Sequence, residues 1–154
     1  MDGQRLLKKL GEETIYSAKG HFKACDIRRG VMTGTIWLCA ILSVISLLDC
    51  SPTIAKGISV VSLIGMIALL IWNEGEGKDY RAKHKAAAEA YLNLHKEIRT
   101  VFSLSSTDLD RIKELSYQVR AFDSSDKPEI PWIARKWAQR AISSGKETDN
   151  WFIK

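Results

Sequence analysis

Two long apolar runs in the first half of the chain constrain its fold more than any other feature. Residues 31–48 contain no charged side chain, and residues 54–72 contain only Lys56, close to their first end. As helices the runs would measure about 27 and 28 Å, which matches a hydrocarbon core of about 30 Å. A short polar segment with a proline, residues 49–53, separates them. The pattern therefore predicts two transmembrane helices joined by an external turn.

The basic residues favour one orientation for this pair. The chain carries a net charge of +5, and its Lys and Arg residues cluster outside the two runs, with only Lys56 near the turn. The flanking clusters are Lys19, Lys23, Arg28 and Arg29 before the first run, and Lys78, Arg81, Lys83 and Lys85 after the second. Since positive charge marks the cytoplasmic side, we expect a multi-pass plasma-membrane protein with both termini in the cytoplasm.

A soluble protein with a buried helical hairpin is the alternative to a membrane-spanning one. A soluble helix of this length would normally carry a polar stripe of charges towards water, and neither run has one. A chain of 154 residues would also struggle to enclose two such helices. We therefore expect an all-α membrane protein, with a two-helix transmembrane hairpin and N- and C-terminal cytoplasmic helices. Its predicted membrane-interface residues are Arg28, Arg29, Lys56 and Trp72.

Small and hydroxyl residues recur on one side of each predicted span. At 100° per residue they form a stripe along the first span and a narrower one along the second. The residues are Thr35, Cys39, Ser43 and Ser46 in the first span, and Gly57, Ser62 and Gly65 in the second. Such stripes let helices approach closely in lipid. They are also weakly polar, so they suit either helix packing or the lining of a pore built from several copies.

The regions outside the runs show helical periodicity. Residues 1–30 are predicted to form an amphipathic cytoplasmic helix, and residues 73–154 a cytoplasmic helical region. Within that region we expect helices over residues 78–102, 108–122 and 131–143. Gly75 and Gly77 follow the second run directly and are predicted to form a hinge at the membrane surface.

Three tryptophans distinguish the C-terminal part of the chain. Trp132, Trp137 and Trp151 can serve core packing or form a face that docks a partner. In the last helix we expect Ile133, Trp137, Ala141 and Ile142 to share one face.

Side chains that could act in catalysis or bind a metal are scattered along the sequence. His84 and His95 would lie about 16 Å apart along one helix, too far to share a metal. We find neither a catalytic constellation nor a nucleotide fingerprint or nucleic-acid reader motif. We therefore expect no enzymatic activity, no cofactor and no direct sequence-specific binding of nucleic acid.

The layout and two segments resemble a known family. A leading helix, two close transmembrane helices and a long helix containing AAAEAYLNLHKEIR, residues 86–99, look like the SLATT domains. The later PEIPWIARKWAQRAI, residues 128–142, is similar to a distal helix often found with them. The resemblance implies a two-transmembrane effector of bacterial defence, which forms pores or disrupts the inner membrane and stops growth of the infected cell. The family has no catalytic residues, so the resemblance assigns none to this chain.

This resemblance also sets the expected partners. Such proteins are associated with nucleotide second-messenger synthases, nucleotide-sensor domains or reverse transcriptases. We expect this chain to be a homo-oligomeric effector of an antiphage, abortive-infection system, triggered by a partner or a nucleotide signal. The alternative function is a membrane anchor or scaffold that recruits a soluble enzyme.

Overall fold

The computed structural model describes residues 3–49, 51–73, 77–104 and 108–144, and these residues are helical apart from short connections. The predicted all-α class is confirmed for this part of the chain, which contains no strand. Its five helices are α1 (Gly3–Asp49), α2 (Pro52–Trp72), α3 (Lys78–Ser103), α4 (Leu109–Asp123) and α5 (Trp132–Ser143).

One helix, α1, takes the place of the separate elements predicted over residues 1–30 and 31–48. It runs unbroken from Gly3 to Asp49 because no proline interrupts it. Pro52 is the first residue of α2. Proline suits this position, because an N–H group there would make no hydrogen bond within the helix. The second apolar helix therefore begins two residues earlier than predicted, and residues 49, 52 and 53 of the predicted turn 49–53 are helical.

The remaining helix ends agree with the sequence to within one residue. The Asp108 side chain caps α4 by accepting hydrogen bonds from the N–H groups of Asp110 and Arg111, at 3.1 and 3.3 Å. Asp108 was predicted to be the first residue of this helix. It lies one position before the helix instead, as N-cap residues do. Pro131 likewise precedes α5 as its N-cap.

The chain divides into two compact units. The first, here called the helical body, comprises Met1–Cys25 and Lys83–Lys154. Its main apolar core contains Leu7 and Leu10 of α1, Ile98 of α3, and Ile112, Leu115 and Val119 of α4. A smaller cluster joins Ile15 to Ile142 of α5. Spacings of three and four residues place these side chains on the inner face of each helix.

The second unit, here called the apolar unit, comprises Asp26–Ala82. Both of its long helical segments have the length and composition needed to cross a membrane. Only 6% of the most apolar stretch of each is buried. Large side chains such as Trp37, Val61 and Ile71 therefore lie exposed, whereas a core helix of a soluble protein would bury most of its apolar surface.

Candidate functional site

Small residues mark where the two apolar segments pack together. Ser46 and Ser62 are 2% and 5% exposed, and no other described side chain between residues 31 and 72 is buried. A Cβ atom added at Gly65 would lie 3.8 Å from Cys39 Sγ, an ordinary van der Waals contact. These four residues, here called the small-residue seam, allow the close approach that small side chains give helices.

The hydroxyl groups of the stripe predicted along the first span donate hydrogen bonds to backbone carbonyls of α1. Thr35 Oγ1 donates to the Val31 carbonyl at 2.9 Å, and Ser43 Oγ donates to the Cys39 carbonyl at the same distance. Ser46 Oγ donates to the Ser43 carbonyl at 2.8 Å. Because each hydroxyl bonds its own helix, it can face lipid or another helix without an unmet hydrogen bond.

The stripe residues differ in how far they are available to a neighbour. Thr35 and Ser43 are half-buried, so part of each side chain is still open. Gly57 is exposed, and a Cβ there would meet nothing within 4 Å, which places it outside the seam. The structure thus brings part of the predicted set together and leaves Gly57 apart from it. A pore-lining role for these residues stays a prediction.

Arg28 binds two aromatic rings in the apolar unit. Its guanidinium carbon lies 4.2 Å from the Trp72 ring centroid and 4.5 Å from that of Tyr80. A cation between aromatic faces is attracted by both ring quadrupoles. Two predicted interface residues, Arg28 and Trp72, are therefore in contact, whereas the other two, Arg29 and Lys56, are exposed.

Gly77 of the predicted hinge occupies a crowded position. A Cβ atom there would lie 3.0 Å from Asn73 Oδ1 and 3.4 Å from the Trp72 carbonyl oxygen. Arg81 donates to that Asn73 oxygen at 3.1 Å and to the Gly77 carbonyl at 3.3 Å. A larger residue here would require the Asn73 side chain to shift by a few tenths of an ångström, and a hinge motion stays a prediction. Gly75 lies outside the described residues.

A buried histidine pair joins α1 to α3 in the helical body. The Nδ1 atoms of His21 and His84 lie 2.8 Å apart, and the two side chains are 1% and 0% exposed. Only one hydrogen fits between two nitrogens at this distance, so one imidazole donates and the other accepts. Burial, then the proximity of His84 and of Lys127, lowers the pKa of His21 to about 4.

His95 is held separately from this pair. Its Nδ1 lies 2.9 Å from the Gly11 carbonyl oxygen and 3.3 Å from Thr14 Oγ1. Burial lowers the pKa of His95 as well. Across the part of the chain that the structure describes, no three His, Cys, Asp or Glu side chains are grouped as metal ligands would be.

A charged network lies beside the histidine pair. The Tyr91 hydroxyl donates to Asp123 Oδ1 at 2.5 Å and accepts a hydrogen bond from Lys127. Lys127 Nζ also donates to Asp123 Oδ1 at 3.0 Å. The Tyr91 ring stacks on His21 with 5.8 Å between centroids. Burial raises the pKa of the Tyr91 phenol, so Tyr91 stays a hydrogen-bond donor at neutral pH.

This network borders a cavity of about 550 Å³ in the helical body. The cavity is lined by residues of α1, α3, the end of α4, the following linker and α5, including His21, Lys127, Glu129 and Arg135. Its volume is in the range of small-molecule sites. Because every helix of the body contributes to its wall, an occupant here would contact all of them.

The C-terminal tryptophans are on the surface. Trp132 and Trp137 are 72% and 48% exposed, so the core-packing interpretation is wrong for both, and Trp151 lies outside the described residues. Of the face predicted for the last helix, Ile142 is buried, whereas Ile133 and Trp137 are exposed. Ala134 and Ala138 complete the buried face, because two alanines let α5 approach the body more closely than indoles would. Partner docking by the tryptophans stays a prediction.

Comparison with known proteins finds no matching family model, no similar curated protein and no similar solved structure.

Proposed function

We propose that the apolar unit is a transmembrane hairpin, with the turn at Ser51 outside and both termini in the cytoplasm. Its support is the exposure of apolar side chains along two helices long enough to cross a bilayer. The basic clusters on the outer flanks of both runs favour this orientation. The Arg28–Trp72 contact lies at the ends of the runs, where indole rings suit the headgroup region.

We further propose that the protein is an oligomeric effector of a bacterial antiphage system, which forms pores in the inner membrane or disrupts it during abortive infection. The observation that carries this proposal is the pair of apolar helical segments whose polar surface, apart from Lys56 near the turn, consists of small residues and hydroxyl groups. Two helices cannot enclose a pore, so several copies assemble. The half-buried Thr35 and Ser43 then contact neighbouring copies or the lumen.

The helical body senses the trigger in this proposal. The cavity beside His21 and Lys127 is lined by every helix of the body, so an occupant would bias how they pack. The proposed trigger is a nucleotide signal or a partner such as a reverse transcriptase, a second-messenger synthase or a sensor protein. The resemblance to SLATT domains supports these partner classes.

A membrane anchor that recruits a soluble enzyme is the second candidate function. The exposed Trp132 and Trp137 favour it, because aromatic side chains are enriched at the centres of protein interfaces. A scaffold of this kind needs its hairpin only for attachment, so the sequence of the spans should be exchangeable.

Induced expression together with the neighbouring genes tests the proposal. We expect the membrane potential to collapse and an impermeant dye to enter before growth stops. The double substitution Ser43→Leu/Ser46→Leu should abolish both signals at equal protein level, because it fills the stripe with bulky apolar groups. Val44→Leu/Ile45→Leu, on the exposed apolar surface, is the matched control and should keep them.

The scaffold predicts the opposite pattern. Growth arrest with an intact membrane potential, unchanged in the Ser43→Leu/Ser46→Leu variant, would refute the pore and support the anchor.

A further inference from the structure

Helix α5 has a distinct outward surface. Its buried residues Ala134, Ala138 and Ile142 face the rest of the helical body. The opposite surface, here called the basic aromatic face, is exposed and consists of Trp132, Ile133, Lys136, Trp137 and Arg140. The helix contains no acidic residue, so no partner within it neutralises these cations.

The two cations form the ridge of this face. At 100° per residue, Lys136 and Arg140 lie at its centre, opposite the buried residues of α5. Trp132 and Trp137 lie to either side of that centre, by about 60° and 80°. The cations therefore extend away from their own body, with an indole on each flank, and are available to a neighbouring molecule.

The same helical body has an open groove of opposite charge. This groove, here called the acidic groove, has a volume of about 500 Å³ and is lined by Lys9, Glu12, Glu13, Tyr16, Ser17 and Asp123. Glu12 and Glu13 of α1 are exposed. Lys9 lies 3.8 Å from Glu13, an exposed pair of the kind that contributes little stability. Asp123 is bonded to Lys127, so Glu12 and Glu13 are the carboxylates that an incoming cation would meet.

We propose that the basic aromatic face of one copy docks into the acidic groove of a second copy. Lys136 and Arg140 enter the groove and pair with Glu12 and Glu13. The flanking indoles then pack against the sides of the groove, where the half-buried Tyr16 offers an aromatic surface. A ridge of cations between two indoles suits a groove, because its central side chains reach furthest.

Charge favours this pairing over a contact between two α5 helices. Two identical basic faces would repel each other, whereas the face and the groove attract. They lie on different helices and share no residue, so each body can use both at once. Such a head-to-tail contact builds a ring when the rotation between copies closes. The inference rests on the proposed function, which needs several copies, and names the surfaces through which their helical bodies assemble.

A zero-length crosslinker tests the contact in the full-length protein in detergent. Copies of natural isotopic composition are mixed with copies enriched in heavy nitrogen and treated with a water-soluble carbodiimide, which joins an ammonium to a carboxylate in direct contact. We expect mass spectrometry to find Lys136 joined to Glu12 or Glu13 in peptides that combine a light and a heavy copy. Only a contact between two copies gives such mixed peptides.

Exchanging the charges supplies a second test. Lys136→Glu/Arg140→Glu and Glu12→Lys/Glu13→Lys should each weaken self-association roughly 30-fold, or about 2 kcal/mol at tenfold per 1.4 kcal/mol. Mixed in equal amounts, the two variants should associate within about threefold of the native affinity, because each face then meets a groove of opposite charge. Sedimentation over a dilution series measures these affinities.

Two cations elsewhere on the body provide the matched control. Lys85→Glu/Lys96→Glu changes the net charge by the same amount at exposed positions of α3. This variant should keep both the mixed crosslink and the native affinity.

The outcomes separate this inference from the proposed function. An oligomer without a crosslink between position 136 and the groove, or charge variants that do not complement each other, would refute the interface and leave the effector proposal standing. A face that binds added polyuridine or an acidic peptide, and no second copy, would also refute it. Mixed crosslinks in a chain whose expression leaves the membrane potential unchanged would support the interface and refute the pore.

Discussion

Lowering the pH from 7 to 5 should destabilise the helical body by about 2 kcal/mol. The folded state holds the pKa of His21 at about 4, below its ordinary value of 6.5. Between pH 4 and pH 6.5, His21 therefore binds a proton more readily in the unfolded chain than in the folded protein. The stabilisation is complete above pH 6.5 and is lost as the pH falls towards 4, where the deficit reaches about 3 kcal/mol. The 2.8 Å Nδ1–Nδ1 contact holds a single hydrogen, so the two imidazoles cannot both be charged while it persists.

Hydrogen exchange of α3 amides in the full-length protein, in detergent, measures this effect as a function of pH. The variant His21→Leu/His84→Leu removes both imidazoles together and should lose most of the pH dependence, since it leaves neither partner buried alone. The residual dependence belongs in part to His95, whose pKa is also lowered. Equal stability of the wild-type body at pH 7 and pH 5 would contradict the neutral buried pair.

Replacing Leu115 by Ala should cost about 2–5 kcal/mol of unfolding free energy in the same body. Leu115 is 0% exposed and belongs to the main apolar core with Leu7 and Ile98. Its removal leaves a cavity that the surrounding helices cannot fully close. Leu109→Ala on the same helix is the matched control, because Leu109 is 58% exposed and its loss should cost about 0.5 kcal/mol or less.

A urea titration of the full-length protein in detergent, followed by α4 exchange, compares the two variants. Similar costs at both positions would mean that the core does not contain Leu115 as described.

Helix positions were predictable because they depend on local patterns. Apolar side chains three and four residues apart fixed α3 and α4 to within one residue. The single helix α1 was not anticipated as such, since charge and hydropathy change sharply near Gly30 although the backbone needs no break there. Composition marks a change of surroundings, whereas only proline or a cap marks the end of a helix.

The histidine pair and the two buried alanines of α5 depend on long-range packing and were missed. His21 and His84 lie 63 positions apart, and no local pattern relates them. Sequence reasoning instead compared His84 with His95 on the same helix. For α5, the size of Trp137 suggested burial, whereas the body accepts Ala134 and Ala138 because their small side chains allow a closer approach.

The direct test of the central claim is the side of the membrane on which Ser51 lies. All three native cysteines are first replaced by Ser. In this background, Ser51→Cys, between the apolar helices, is compared with Ser124→Cys, at an exposed position after α4. Intact spheroplasts are treated with a membrane-impermeant maleimide. We predict that Ser51→Cys is modified at once and Ser124→Cys only after lysis. Modification of Ser51→Cys only after lysis, as at Ser124→Cys, would contradict a hairpin that crosses the bilayer twice.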